Sequence, residues 1–444
     1  MKRILAIVLV SLATAGCAGG AKPGAHDAAA RLAPKGESPW HEDLGDPGLH
    51  ALLAQSDIAS LDVKLALARL ERANAETDAA GRVRMPRATI GVEGAVGAAR
   101  KGNIRSRGVP SLESDYEIDL WGRVASATRA AAAEAKAAAI DIEMARLLVA
   151  AETARAYVAL ETARAQEPAC LRRSAAAARA LSLVRLRAAA GRATPEELEA
   201  RRFAVAEADG QTRQAHLEVG RQIIRLSALL GRDKLIDEPP VGHLTLPAEP
   251  PASISSDVVA QWPQVRAARA RLLGADARRA EAVAASRPKF MINLAGGAVD
   301  PAVTNLLDSK SLVWAFGAGI THDILDGGAA KARVRGARAE VDLADLAYRK
   351  AVVEAWADLR LALGEASAGR DQAERATIAV AGAERALRAV EARHKAGAAD
   401  GIDMAAGQDQ LARALQSQAE ARGRALTARV QLALALGGTI PGTP

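Results

Sequence analysis

Aromatic residues are scarce in this sequence: among 444 residues there are five Trp, three Tyr and three Phe. Because half of all residues are nonetheless hydrophobic, the apolar content is aliphatic and above all alanine, a composition that favours long helices over bulky cores. Cysteine is nearly absent. Cys17 and Cys170 are the only two, which excludes a disulfide framework and a thiolate zinc site. Beyond the extreme N-terminus no uncharged apolar run reaches about 18 residues, so a polytopic helical membrane protein is excluded. Neither sign of charge dominates, since 59 Lys and Arg are interleaved with 52 Asp and Glu for a formal charge of +7, and nucleic-acid binding finds little support. Glycine has no period of three and polarity is low, which excludes a collagen and a disordered chain. Phosphate-binding and dinucleotide-binding glycine patterns, HExxH and GxSxG are all missing, and His26, His41, His50, His216, His243, His322 and His394 are scattered. No catalytic site, metal or cofactor is therefore expected, and the protein reads as a non-enzyme.

What is present begins with an address. Lys2 and Arg3 precede the apolar run Ile4 to Leu12, and small residues follow to Cys17, so residues 1–16 read as a secretory signal peptide. Thr14-Ala15-Gly16-Cys17 is similar to a bacterial lipobox, with Thr where Leu or Val is usual, and makes Cys17 the acylated first residue. Ala13-Thr14-Ala15 also suits ordinary signal-peptidase cleavage. Residues 17–50 are then a lipid-anchored extended segment, and Cys170 is a small helix-face residue.

The rest of the chain is a tandem duplication. Asp62-Val63-Lys64 matches Gln264-Val265-Arg266, and each opens a helical stretch that ends at a proline, Pro86 or Pro288. Each half continues with two short alternating segments, a very long helical stretch and a shorter one. The offset between matched points runs from 202 (Asp62 to Gln264) to 206 (Gly191 to Gly397). The first repeat spans 51–237, a Pro-rich connector 238–255, the second repeat 256–437 and a tail 438–444. Arg123 to Ala190 gives roughly 100 Å of helix, and the shorter stretches sum in pairs to the same length. The economical geometry is a tall cylinder of long helices flanked by stacked short ones, with seams such as Met144, Leu147, Leu148, Ala151, Ala154 and Val158. Pro168 inside the first long helix predicts a bend or local break.

The short segments carry the function. Over 111–121, Leu112, Ser114, Tyr116, Ile118 and Leu120 alternate with Glu113, Asp115, Glu117 and Asp119. Four carboxylates on one strand face demand water, and the opposite face demands lipid or protein. Segments 88–98, 289–298 and 312–324 alternate likewise, with Glu93 on the polar side of the first. Lengths of about 10 residues with one apolar and one polar face suit a transmembrane barrel, although a soluble sheet lying on helices alternates in the same way. Four strands do not close a barrel around water, so closure needs several chains. A loop over Ala99 to Pro110, with Arg100, Lys101, Arg105 and Arg107, is expected between the first two strands.

Several motifs, in this order, resemble the outer-membrane efflux proteins, the TolC-like channels, and in particular their lipoprotein branch. They are Trp40 with Gly45-Asp46-Pro47, Tyr116-Glu117-Ile118-Asp119-Leu120-Trp121-Gly122-Arg123, Ser255-Ser256-Asp257 running to Pro263-Gln264-Val265-Arg266, Leu325-Asp326-Gly327-Gly328, Arg393-His394-Lys395-Ala396-Gly397 and Ala433-Leu434-Ala435-Leu436-Gly437-Gly438. The resemblance implies a mainly α fold with a small transmembrane β part, four strands per chain. It further implies a homotrimer closing a 12-stranded barrel on an α-helical periplasmic tunnel. It also implies docking on a periplasmic adaptor and an inner-membrane pump, contact with outer-membrane lipid, and passive export of small molecules. The loop 99–110 then lies at the cell surface, Gly191 and Gly397 mark the periplasmic tips, and Asp400 and Asp403 are candidates for the closed aperture. Both aspartates equally suit a helix start, as does Thr194-Pro195-Glu196-Glu197 with its capping-box spacing. An exported coiled-coil adaptor or scaffold lipoprotein is the competing reading, and it lacks a use for the apolar strand faces.

Overall fold

The computed structural model describes residues 40, 44–98, 104–246, 249, 257–298 and 312–438. The signal segment 1–16, Cys17, residues 99–103 with Arg100 and Lys101, and the tail beyond 438 lie outside the described residues. Among the described residues the elements are α1 (Pro47–Ala59), α2 (Leu61–Arg82), β1 (Arg87–Ala98), β2 (Ile104–Ile118), α3 (Arg123–Ala189), α4 (Pro195–Leu229), α5 (Asp257–Gln261), α6 (Pro263–Ala285), β3 (Lys289–Ala298), β4 (Leu312–Thr321), α7 (Ala329–Lys395) and α8 (Gly401–Ala435). No described helix is long and apolar enough to cross a membrane.

The duplication is visible in the lengths. Both α3 and α7 have 67 residues, and both α4 and α8 have 35. Helix α3 is packed by α2 and α6 along the half nearer the strands and by α4 and α8 along the other half, whereas α7 is packed by α6 and α8. Length arithmetic alone pairs α2 with α7; within the chain α2 lies instead against α3. The main core sits where the short helices meet end to end, around Tyr157, Leu160, Leu226, Val430 and the N-terminal Trp40, Leu44 and Leu49. Of the expected seam, Ala151, Ala154 and Val158 are buried, but Leu148 is exposed and Ile142 and Val149 take its place. That shift is what a straight 3.6-residue repeat does to a seam read in heptads.

Three expectations about boundaries need correction. Helix α3 is continuous through Pro168, so the local break is absent: one lost amide and a ring clash are local costs that the packing of α3 on its neighbours outweighs. Strand β2 begins at Ile104, so Arg105 and Arg107 stand in the strand, opposite Gly97 and Ala95, and not in a loop. Glycines, polar residues and Pro110 left no apolar alternation there to read; among the described residues the β2–β3 pairing begins at Ser111, just past Pro110. At their other ends β2 stops at Ile118 and β4 at Thr321, short of the expected 121 and 324, and the following Asp119 and Asp326 serve the starts of α3 and α7.

Candidate functional site: a two-faced sheet and paired helix tips

The four strands form one antiparallel sheet in the order β1-β2-β3-β4. Its register sorts side chains by chemistry. On one face Ile90 pairs with Leu112, Tyr116 with Ile292, Ile118 with Phe290, Leu294 with Phe316 and Phe290 with Ile320, and Trp314 packs over Gly296. Among the described residues nothing covers this face: Ile90, Phe316 and Ile320 are 71%, 74% and 67% exposed. The other face carries Arg87, Thr89, Glu113, Asp115, Glu117 and Asn293, with Ala315, Gly317 and Gly319 on β4.

The expected row of strand acids is resolved into individual roles. Glu113 stands between Thr89 and Ala295 and is exposed. Asp115 lies opposite Arg87 and accepts a hydrogen bond from Asn293 Nδ2. Glu117 is held bidentately, Arg123 Nε and Nη2 donating to its carboxylate at 2.8 and 2.6 Å. Asp119 is a correction: it lies past the strand, and its carboxylate accepts from Val124 and Ala125 N–H at 3.0 and 2.7 Å, satisfying the open amides at the start of α3. Asp326 does the same for α7 through Gly328 and Ala330 N–H at 2.8 and 2.6 Å. Glu93 stands in β1 opposite Val109; its side chain lies outside the described residues.

The strand-to-helix joint is cross-braced. Trp121 Nε1 donates to the Pro288 carbonyl at 2.8 Å, the Trp121 and Phe290 rings are 6.5 Å apart, and the Arg287 guanidinium lies 4.7 Å over the indole. These contacts join the α6–β3 turn to the β2–α3 turn.

At the far end, Gly191 and Gly397 occupy the left-handed region at φ +68° and +72°. Paired bonds close both helices, Arg192 N–H to Arg187 O and Gly191 N–H to Ala188 O at one tip, Ala398 N–H to Arg393 O and Gly397 N–H to His394 O at the other. Thr194 accepts from Glu197 N–H at 3.2 Å. A full capping box forms at α8: Asp400 accepts from Ile402 and Asp403 N–H, and Asp403 accepts from Asp400 N–H. Asp400 also pairs with Arg187 of the neighbouring tip. The Asp403 amide above all, with Arg187 and the Ile402 amide, holds the Asp400 carboxyl below its ordinary value against the opposing effect of burial. Asp400→Ala is expected to cost about 1 kcal/mol, and Arg187→Gln about half that because both partners are well exposed. Thermal unfolding of the two variants checks this, and equal losses would give the ion pair, not the cap, the main part.

Sequence reasoning missed a lock at mid-height. Asp46, 2% exposed, accepts from Leu49 N–H, from Tyr157 Oη and from His243 N–H at 2.9, 2.9 and 2.7 Å. Glu161 accepts from Gly242 N–H, and Arg164 binds Glu161, Glu238 and the Pro239 carbonyl. The described part of the Pro-rich connector, 238–246, is thus fastened across α3. Lower down, buried Arg173 of α3 reaches Asp409 of α8 and Gln211 of α4. The available signal was Tyr157, the single aromatic of α3.

Among the described residues no group of His, Cys, Asp and Glu could hold a metal ion. The sequence model of a family described as Outer membrane efflux protein matches residues 52–232 and 254–438. The pyoverdine export outer membrane protein OpmQ of Pseudomonas aeruginosa is 27% identical over 421 residues, covering 90% of this chain and 87% of that one. Outer membrane protein OprJ of the same species is 29% identical over 296 residues, 64% of this chain and 60% of that one. Among solved structures, the Campylobacter jejuni CmeC outer membrane channel superposes with TM-score 0.82 at 21% identity, covering 92% and 90% of the two chains. The Vibrio cholerae outer membrane protein VceC superposes with TM-score 0.78 at 22% identity, covering 91% and 100%.

Proposed function

This chain belongs to the outer membrane efflux protein family and is an outer-membrane channel component of an efflux system, and on that premise we propose how it is assembled and used. Three copies form a homotrimer in which 12 strands, four from each chain, close a barrel in the outer membrane, and the long helices close a periplasmic tunnel about 100 Å tall. A periplasmic adaptor and an inner-membrane pump deliver small molecules to its tips, where Asp400 and Asp403 ring the aperture. The conduit itself is passive and performs no catalysis. Cys17 anchors the mature N-terminus through lipid.

The supporting observation is the unequal packing of equivalent helices. By the internal repeat, α7 is the counterpart of α3, yet α3 has short helices on both flanks and α7 on one. Its other flank exposes Leu343, Leu346, Val353 and Ile378, while α4 exposes Phe203, Leu217 and Ile224. Placing α2 and α4 of the next copy against α7 repeats the arrangement already present around α3, and a head-to-tail contact of this kind closes into a ring. The same operation joins the free edges β1 and β4 and leaves the apolar sheet face to lipid.

Conductance of the detergent-extracted protein in planar bilayers tests the proposal. Discrete channel steps are expected. Solubility without detergent together with a lack of conductance would overturn it. For the anchor, Cys17→Ala is expected to abolish incorporation of radiolabelled palmitate, and undiminished labelling would remove Cys17 from that role.

A further inference from the structure

The end of the sheet that meets the helices carries more free cation than acid. The register brings four joints together there, pairing Arg87 with Asp115, Ile118 with Phe290 and Lys289 with Thr321. Arg82 ends α2 and Arg84 follows it, Arg287 lies between α6 and β3, and Lys331, Arg333 and Arg335 lie in the first two turns of α7; all are exposed. None of these is held in an ion pair among the described residues. The acids at this level are mostly engaged: Glu117 by Arg123, Asp119 and Asp326 by helix amides, Asp115 by Asn293. Asp323 in the joints and Glu281 in the last turns of α6, which acts on Arg123, are the acids left over, and Asp326 keeps its charge beside Arg333.

Apolar side chains stand among these cations. Met85, Leu120, Trp121, Ile324 and Leu325 are exposed, the last two at 90% and 94%. Trp121 packs against Phe290, which belongs to the apolar sheet face, so the Arg287 stacked on it sits on the lipid side of the wall. Water satisfies the cations but not the leucines, and hydrocarbon the reverse. The headgroup zone of a bilayer satisfies both, and a guanidinium fork matches a phosphate bidentately.

We propose that this collar binds anionic phospholipid headgroups in the membrane leaflet nearest the helices, fixing the depth at which the wall sits. The proposal rests on the reading of the sheet as an outer-membrane barrel wall. Lipopolysaccharide of the opposite leaflet is at the wrong end of the strands. The attraction is electrostatic and sums over the basic residues of every copy.

The full chain, reconstituted into nanodiscs of phosphatidylcholine with a minor fraction of phosphatidylglycerol, gives the test when the tightly bound lipid is counted by native mass spectrometry. Wild type is expected to hold phosphatidylglycerol enriched about threefold or more over the bulk. The combined variant Arg82→Gln, Arg84→Gln, Arg287→Gln, Arg333→Gln should return it to the bulk ratio. Arg185→Gln with Arg192→Gln, which removes charge at the far tip, should leave enrichment intact. Enrichment absent in wild type, retained in the collar variant, or lost equally in the tip variant overturns the collar. A chain that fails to enter nanodiscs but stays folded in water instead overturns the barrel reading beneath it.

Discussion

Asp46→Ala is expected to destabilise the helical wall by about 3–5 kcal/mol, the largest loss from any single polar substitution. The carboxylate is buried and accepts from two backbone amides and one hydroxyl, so its removal leaves the Leu49 and His243 amides and the Tyr157 hydroxyl without their acceptor. Tyr157→Phe removes one of those bonds and should cost about 1–2 kcal/mol. The double variant should cost less than the sum, since both changes delete the same bond. Gly242→Ala should approach the aspartate variant, because its Cβ would collide with the Tyr157 hydroxyl and the Asp46 carboxylate. Thermal unfolding followed by circular dichroism measures all four. An Asp46→Ala variant within the scatter of wild type would mean that the strap does not hold the wall. Titration gives a second check. Burial pushes the Asp46 carboxyl up, but the Leu49 amide, the Tyr157 hydroxyl and the His243 amide outweigh it and hold it below the ordinary 3.8. A lowered value means that the contribution is complete above pH 3.8 and is lost as pH falls through the folded-state value. The gap between wild type and Asp46→Asn should therefore narrow only in strong acid.

Glu113→Lys is expected to reverse the sign of the reversal potential measured across a bilayer under a salt gradient. Of the strand acids, Glu117 is neutralised by Arg123 and Asp115 faces Arg87 and Asn293. Glu113 has Thr89 and Ala295 beside it and small residues beyond, at Ala315 on β4. Among the described side chains, Glu113 is the strand carboxylate with neither an ion pair nor a basic residue opposite it. Wild type should be weakly cation-selective, Glu113→Gln less so, and the lysine variant anion-selective. Glu117→Gln should change selectivity less than Glu113→Gln. The same reversal potential in wild type and Glu113→Lys would place the charge-selective point elsewhere.

How much of this was legible in the sequence depends on whether the signal was periodic. The duplication, the long helices, the four strands and the identity of their two faces follow from spacing, because period 2 and period 3.6 are imposed by backbone geometry on every residue of an element. The tip glycines and the Asp400 cap follow from local chemistry that acts within four residues. The Asp46 lock did not follow, since its partners Tyr157 and His243 are 111 and 197 positions away and no local rule connects them. Asp119 was misplaced for a related reason. It continues the alternation of β2 flawlessly, and only the geometry of the turn after it turns the carboxylate toward the amides of α3. Arg105 and Arg107 were misread because a strand can be built from glycine and polar residues, where alternation says nothing.

The two helices of 67 residues and the two of 35 amount to a shared ruler. Both tips hang from the same sheet, and Arg187 ties one to the other. Deleting one heptad from α3 alone would draw its tip back by about 10 Å, break that tie and leave α4 overhanging. The same deletion made in α3, α4, α7 and α8 together keeps every neighbour in register. Changes in the reach of this protein therefore have to occur in concert across both repeats, and the span between membrane and tip is a quantity that no single insertion can tune.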